Sequence, residues 1–424
     1  MKQVYHTYLS IIKKNCTDSE CKIVVPKEEY SELMELAKKQ CTLPFLLPYF
    51  RDTPYFLFLK QQTKQILLNY YELEHFTRKT VSLLSQNQIS CYLLKGLSLA
   101  SYYPVPEYRK SGDVDLYIND SEAFEKAKSL LISHGYVLQD ELSDHHMLFL
   151  YTFPKTGRQF ELELHYRIVG LYQYEQANQI VEEVFFNPPK LTQTLYGYSY
   201  TVLAPTESAF YLIHHMLKHY LYSGFGIRLL CDFTVYLNHF YNEIDFEKLH
   251  AWCRESRIFH LYEIILACCR NYLGLAEQID PEVTYDTDAC EHFLSMILEG
   301  GDMGTNANHA IVGSTSYQKI NWLTYFKEGH LQMKVRFPNA SHLPVLWPFL
   351  WFWTFVCFLK NNRKLRNTTF RAVLREFFET QHFGQSFESL KKKMNTPGLS
   401  VSLKTATLNN EPLFYSFILS STTL

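Results

Sequence analysis

Two segments of the chain, about fifty residues apart, alternate polar and apolar side chains with the two-residue period of a β-strand. The first is Asp-Val-Asp-Leu-Tyr-Ile at 113–118, and the second is Phe-Glu-Leu-Glu-Leu-His at 160–165. Alternation places Asp113 and Asp115 on one face of the first strand, opposite its apolar side chains. The two glutamates of the second strand share a face in the same way. Because Asp and Glu are poor strand formers, these carboxylates indicate a function.

If the two strands are neighbours, three of these carboxylates converge. We predict that Asp113, Asp115 and Glu163 are the catalytic and metal-binding residues, since carboxylate oxygens are the ligands that hard divalent cations prefer. Glu161 lies on the same face as Glu163 and is the alternative third ligand. We expect Glu161 to be solvated, or to support Glu163 without binding metal.

The remaining periodicity predicts an α+β protein with a small mixed sheet between helical regions. Further strands are predicted over 89–94, 136–138, 146–153 and 158–166. Helices are predicted over 27–41, 54–85, 121–134, 206–222, from the 223–226 turn to about 240, and over 257–272. Asp120 or Ser121, Thr206 and Asp245 are the expected N-caps. We expect four regions: helical 1–87, an α/β core 88–200, helical 201–300 completing a cleft, and a mixed or helical subdomain 317–424.

Composition and net charge favour some classes of protein and disfavour others. The 424 residues are 47% hydrophobic and 16% aromatic, which supports well-packed cores and argues against extensive disorder. The formal net charge of −2 supplies no basic field, so a nucleic-acid partner is not favoured. The ten cysteines include no Cys-x-x-Cys pair and predict reduced thiols. The N-terminal segment lacks the signal-peptide pattern, so we expect a cytoplasmic location.

An uncharged aromatic run at 343–359 precedes a cluster of basic residues that ends at Arg366. A membrane span needs about 20 apolar residues, and Pro344 and Pro348 shorten the unbroken helix. We therefore interpret the run as a buried helix of a C-terminal subdomain. Contact with a membrane surface through 343–366 is the alternative, because aromatic and basic residues suit that interface.

An ordered set of short motifs surrounds the first acidic strand. A Lys95-Gly96 turn with Ser98 precedes it, Arg109 lies a few residues before it, and Glu-Leu-His follows at 163–165. Over about 88–240 this set resembles the polymerase-β-like nucleotidyltransferase superfamily, and most closely its bacterial family described as uncharacterised nucleotidyltransferases. The superfamily usually carries Gly-Ser at this turn, whereas Lys-Gly is normal for the closer family. The resemblance extends to three residues of the following helical region: His219, Arg228 and Asp232.

The resemblance implies an enzyme that moves a nucleoside monophosphate from an NTP such as ATP to an acceptor hydroxyl, with release of pyrophosphate. Mg²⁺ or Mn²⁺ would stabilise the attacking and leaving oxygens. The residues expected to bind the nucleotide are Lys95, Gly96, Ser98 and Arg109. The residues expected to line the cleft are His165, Lys218, His219, Arg228 and Asp232.

Some of these residues also have simpler interpretations. Arg109 could neutralise the acidic cluster instead of binding phosphate, and His165 could hydrogen-bond to backbone at a strand end. Arg228 and Asp232 are four residues apart, so they could form an intrahelical salt bridge.

The acceptor is expected to be a small molecule, because the net charge gives no support to a nucleic-acid one. A protein-adenylylating enzyme would use the same three carboxylates. A non-catalytic nucleotide-binding scaffold would retain the fold without turnover. A metal-dependent phosphohydrolase would release phosphate instead of pyrophosphate.

Overall fold

A five-stranded mixed sheet carries the sequence motifs, in a computed structural model that describes residues 1–17, 22–139, 143–172, 175–222, 225–301 and, except for 331–332, 335 and 338, residues 329–366. Its strands are β1 (Tyr92–Leu93), β2 (Asp113–Tyr117), β3 (Tyr136–Leu138), β4 (His146–Thr152) and β5 (Gln159–His165). Their order is β1-β2-β5-β4-β3, with β2 parallel to β5 and the other pairs antiparallel. A separate hairpin pairs β6 (Lys190–Leu195) with β7 (Tyr198–Leu203).

Helices precede, interrupt and follow this sheet, as an α+β fold requires. Before and within the sheet they are α1 (Gln3–Thr17), α2 (Tyr30–Lys39), α3 (Leu43–Leu46), α4 (Phe56–Gln86), α5 (Leu97–Ala100), α6 (Ser121–Ser133) and α7 (Glu175–Phe185). After it come α8 (Pro205–Tyr222), α9 (Ile227–Phe240), α10 (Phe246–Glu255), α11 (Phe259–Cys268), α12 (Thr287–Gly300) and a C-terminal helix, Trp347–Arg366. The predicted α+β class is confirmed.

The apolar faces of β2 and β5 pack against the long helix α4. Val114, Leu162 and Leu164 are buried, as the two-residue alternation predicts. Phe76 of α4 is fully buried, and its ring stacks on Phe160 of β5 at 5.4 Å between centroids. The opposite face of β2 and β5 therefore carries the polar side chains.

A second buried cluster joins the N-terminal helices to those that follow the sheet. Helix α1 packs on α9 and on a π-helical turn, Cys269–Leu273, that continues α11. The side-chain amide of Gln40 donates a hydrogen bond to the Ile297 carbonyl at 2.9 Å, and its side-chain oxygen Oε1 accepts one from Ile227 N. The four predicted regions stay a prediction. The packing adds that 1–87 and 201–300 share a core.

Two local predictions differ from the structure. Helix α8 begins at Pro205, so Thr206 lies inside it, and the Thr206 hydroxyl instead accepts a hydrogen bond from Asp245 N. The C-terminal helix begins at Trp347, and Phe349 and Phe352 on it are 75% and 67% exposed. The interpretation of a buried helix is therefore wrong for these side chains.

None of the described helices combines the length and apolar character that crossing a membrane requires. The predicted loop at 300–316 and most of the predicted subdomain at 317–424 lie outside the described residues.

Candidate active site

The register of β2 and β5 brings the acidic residues together. Asp115 pairs with Glu163 and Asp113 pairs with Glu161, so all four carboxylates lie on the sheet face opposite α4. One ligand atom from each of Asp115, Glu163 and His165 lies within 4.8 Å of the other two. Glu161 is exposed at the outer end of this row, consistent with the smaller role expected for it. The catalytic and metal-binding roles of the set stay predictions.

Lys95 lies between the two aspartates of β2. Its Nζ is 3.1 Å from Asp113 Oδ2 and 3.0 Å from Asp115 Oδ2. Burial alone would lower the pKa of Lys95, but Asp113 and then Asp115 hold it well above its ordinary value. The ammonium therefore neutralises the acidic pair in this structure.

Gly96 forms the turn that carries Lys95. Its φ of +71° lies in the left-handed region that glycine tolerates best, and it leads directly into the single helical turn α5. A Cβ atom added at Gly96 would lie 3.6 Å from the Asp113 carbonyl oxygen, which is an ordinary van der Waals distance from the backbone of β2. Ser98 in α5 is only 5% exposed, and its carbonyl accepts a hydrogen bond from Gln193 Nε2 at 3.1 Å. The nucleotide-binding roles of the turn and of Ser98 stay predictions.

Asp115 is fully buried, and burial raises the pKa of its carboxyl group even though Lys95 opposes this shift. His165 Nε2 lies 3.3 Å from Asp115 Oδ1 and 3.3 Å from Glu163 Oε2, bridging the two strands. Asp115 Oδ2 accepts no hydrogen bond from the described residues, although the Lys95 ammonium is close enough for charge pairing. That oxygen keeps acceptor capacity at the buried end of the site.

The pKa of Glu163 is shifted in the opposite direction to that of Asp115. Burial would raise the pKa of Glu163, but the hydrogen bond from His165 and the charges of Lys95 and Lys218 hold it well below its ordinary value. In turn, burial would lower the pKa of His165, and contacts with Asp115 and Glu163 raise it. Cations on both sides thus favour an ionised Glu163 at neutral pH.

The donor set fits a hard divalent cation. Asp113 and Glu163 are partly open, with side chains 24% and 22% exposed, whereas Asp115 forms the closed floor. Carboxylate oxygens that are partly open to solvent can exchange an ammonium or water for a metal ion without unfolding the sheet. Asp113, Asp115 and Glu163 are the residues that would hold it.

Arg109 forms a buried ion pair with Asp232, and its predicted nucleotide-binding role stays a prediction. Its Nε and Nη2 donate to the two oxygens of Asp232 at 2.7 and 2.8 Å, and Tyr103 also donates to that carboxylate. Both charged side chains are only 3% exposed. The geometry gives Arg109 a structural role, tying the loop before β2 to α9. Arg228 donates a hydrogen bond to the Lys110 carbonyl at 2.8 Å. The Asp232 carboxylate pairs with Arg109, which lies far from it in the sequence.

Helix α8 covers the polar sheet face with basic side chains. Lys218 Nζ lies 3.1 Å from His145 Nε2, and His219 Nε2 lies 3.1 Å from His215 Nε2. Burial holds the pKa values of His215 and His219 well below the ordinary histidine value, so both rings are neutral at pH 7. His165 contacts Asp115 and Glu163 directly, and the charge of Lys218 acts on Glu163. The cleft roles of His165, Lys218 and His219 stay predictions.

Two histidines beside the site were missed in the sequence. His146 begins β4 and pairs in register with His165, and His145 precedes it. Burial lowers the pKa of His146 to about 2 and that of His145 to about 4. The available signal was the His-His pair at the start of a predicted strand beside the acidic one.

The chain belongs to the family described as uncharacterised nucleotidyltransferase, which it matches over residues 29–274. This match covers more than half of the chain, includes every predicted site residue, and begins earlier than the resemblance at 88–240. No curated protein matches the chain. A solved structure, an antigenic nucleotidyltransferase-like protein from Paracoccidioides brasiliensis, is 15% identical, with 49% of this chain and 96% of that chain covered at a TM-score of 0.31. So low a TM-score carries no argument about fold or function.

Replacing Arg109 with alanine should destabilise the fold more than it weakens any ligand contact. The substitution leaves Asp232 buried without its cationic partner, which costs roughly 3–5 kcal/mol. Lys126→Ala removes a pair with Glu122 in which both side chains are exposed, and it should cost less than about 1 kcal/mol. Urea unfolding of both variants checks this. Equal losses in the two variants would contradict the structural role.

Proposed function

We propose that the protein is a metal-dependent nucleotidyltransferase that moves a nucleoside monophosphate from an NTP to a hydroxyl of a small-molecule acceptor. The observation that carries the proposal is the in-register pairing of Asp115 with Glu163 across parallel strands, with Asp113 joined to Asp115 through Lys95. Membership of a nucleotidyltransferase family gives this acidic set its chemistry. The substrate, the acceptor and the cation are the parts that we propose.

In this reaction the acceptor oxygen forms a bond to the α-phosphorus, the bond between the α-phosphorus and the oxygen that bridges to the β-phosphate breaks, pyrophosphate leaves, and the acceptor hydroxyl gives its proton to water. Bound Mg²⁺ or Mn²⁺ supplies charge neutralisation at the attacking and leaving oxygens. Asp113 and Asp115 would hold the ion on the nucleotide side, and Glu163 would hold the ion on the acceptor side. The low pKa of Glu163 makes it a better ligand than proton acceptor, so we assign it to positioning the acceptor hydroxyl.

In this proposal Lys95 also binds the nucleotide. Its ammonium neutralises Asp113 and Asp115, and added cations on the same oxygens would repel it. The Lys95 side chain is 13% exposed, so it is not fully enclosed by protein. A released ammonium beside a triphosphate binds phosphate oxygens. Lys95 thus exchanges a carboxylate partner for the nucleotide.

The rival functions differ in their products. Incubation with Mg²⁺ and ATP labelled at the α-phosphate, with candidate small acceptors, should place label in a small product and release pyrophosphate in equal amount. Label that enters protein would favour an adenylylating enzyme. Release of phosphate would favour a phosphohydrolase. Nucleotide binding without turnover for any acceptor would favour a scaffold.

Asp115→Asn should lower pyrophosphate release by roughly 100-fold or more, because a metal-bound carboxylate supplies several kcal/mol of transition-state stabilisation. Since burial raises the pKa of Asp115, its charge opposes folding, and the variant should melt no lower than the wild type in chelator. Glu161→Gln, on the same face but exposed, is the matched control and should retain activity. Wild-type turnover by Asp115→Asn would refute the assignment.

Lys95→Met should lower the melting temperature in chelator, because it leaves two carboxylates without their ammonium, at a cost of roughly 2–4 kcal/mol. Mn²⁺ should then raise the melting temperature of the variant more than that of the wild type, since the cation replaces the missing charge. Lys126→Met removes an exposed ammonium paired with Glu122 and serves as control. An unchanged melting temperature for Lys95→Met would contradict the neutralising role.

A further inference from the structure

We propose that His145, His146 and His165 form a second metal site, distinct from the carboxylate set, that takes a transition-metal ion of the Zn²⁺ class. One ring nitrogen from each of the three lies within 4.8 Å of the other two, and all three side chains are buried. Imidazole nitrogens favour Zn²⁺ and its neighbours, whereas carboxylates favour Mg²⁺ and Mn²⁺. The inference does not depend on the proposed transfer reaction.

Strand pairing and backbone hydrogen bonds fix the positions from which the three rings extend. His146 on β4 lies directly across from His165 on β5, with ring centroids 5.2 Å apart. The His145 carbonyl accepts hydrogen bonds from Tyr166 N and Arg167 N, and the Ser143 hydroxyl accepts from the backbone amides of both His145 and His146. Two nitrogens bound to one tetrahedral zinc ion lie roughly 3.4 Å apart, so the rings would have to move closer together by side-chain rotation when the ion binds.

The hydrogen bonds around His145 match those of a metal-binding histidine. Its Nδ1 lies 2.8 Å from Asp144 Oδ1, and Asp144 Oδ2 accepts from Leu171 N at 2.8 Å. A carboxylate on one ring nitrogen fixes the proton there and leaves the lone pair on the other, as outer partners of zinc-bound histidines do. The Lys218 ammonium lies 3.1 Å from that Nε2, so a cation already lies where a metal ion would bind.

His165 offers an unused nitrogen. Its Nε2 faces the carboxylates of Asp115 and Glu163, whereas its Nδ1 is buried and has no hydrogen-bond partner among the described residues. A buried polar atom without a partner costs free energy, which a bound metal ion would recover. Donation from Nε2 to two carboxylates also makes the ring more basic and hence a stronger ligand. His165 would thus separate the two metal sites.

The test is titration of the full chain, stripped with chelator, with Co²⁺ as a visible probe for Zn²⁺ sites. In wild-type protein the ligand-field absorption bands of nitrogen-bound Co²⁺ should saturate at one equivalent, and added Zn²⁺ should abolish them. His145→Gln and His146→Gln should each weaken Co²⁺ binding by roughly 100-fold, since even outer partners of a ligand contribute about 10–100-fold. His134→Gln changes an exposed histidine and should behave like the wild type.

Two further measurements separate this site from its neighbour and from misfolding. Asp113→Asn alters only the carboxylate set and should leave the cobalt bands unchanged. Melting curves of the two glutamine variants in chelator should show that both remain folded. Bands that are absent in the wild type, retained by both glutamine variants, or lost in Asp113→Asn would overturn the proposal, the last because the ion would belong to the carboxylates.

Discussion

The buried carboxylate of Asp115 is the constraint on which the rest of this site depends. An ionised group without exposure must be compensated by nearby cations or protonated. The chain compensates it from two directions, with Lys95 from the turn after β1 and His165 from the end of β5. Both partners reach Asp115 only if β1 and β5 flank β2, which is the order in the sheet. The contacts that allow a charge to be buried therefore also assemble the candidate site.

Contacts between charged and polar side chains also connect the sheet to the helices around it. The ion pair of Arg109 with Asp232 joins the loop before β2 to α9, and Lys218 of α8 lies against His145. Helices α8 and α9 belong to the buried cluster that also contains α1, so the polar face of the sheet is enclosed by elements from distant parts of the chain. Enclosure lowers the local dielectric and strengthens each charge interaction in the site.

Much of the sheet could be predicted because its signal is local. Two-residue alternation identified β2, β4 and β5 to within about one residue, and the motif order indicated that β2 and β5 carry one site. Contacts between distant positions could not be predicted in this way. The partner of Arg109 is set by how α9 packs, and nothing near residue 109 encodes it. His146 faces His165 because of hairpin register, and the exposure of Phe349 depends on what surrounds its helix.

We propose that Asp113, Asp115 and Glu163 hold divalent cations for a nucleotide. The most direct measurement is anomalous diffraction from crystals grown with Mn²⁺ and a non-hydrolysable NTP analogue. We expect a manganese peak about 2.1 Å from oxygens of Asp113 and Asp115, next to the triphosphate, with the Lys95 ammonium moved onto phosphate. Bound nucleotide with Lys95 still between the aspartates, and no manganese on any of the three carboxylates, would contradict it.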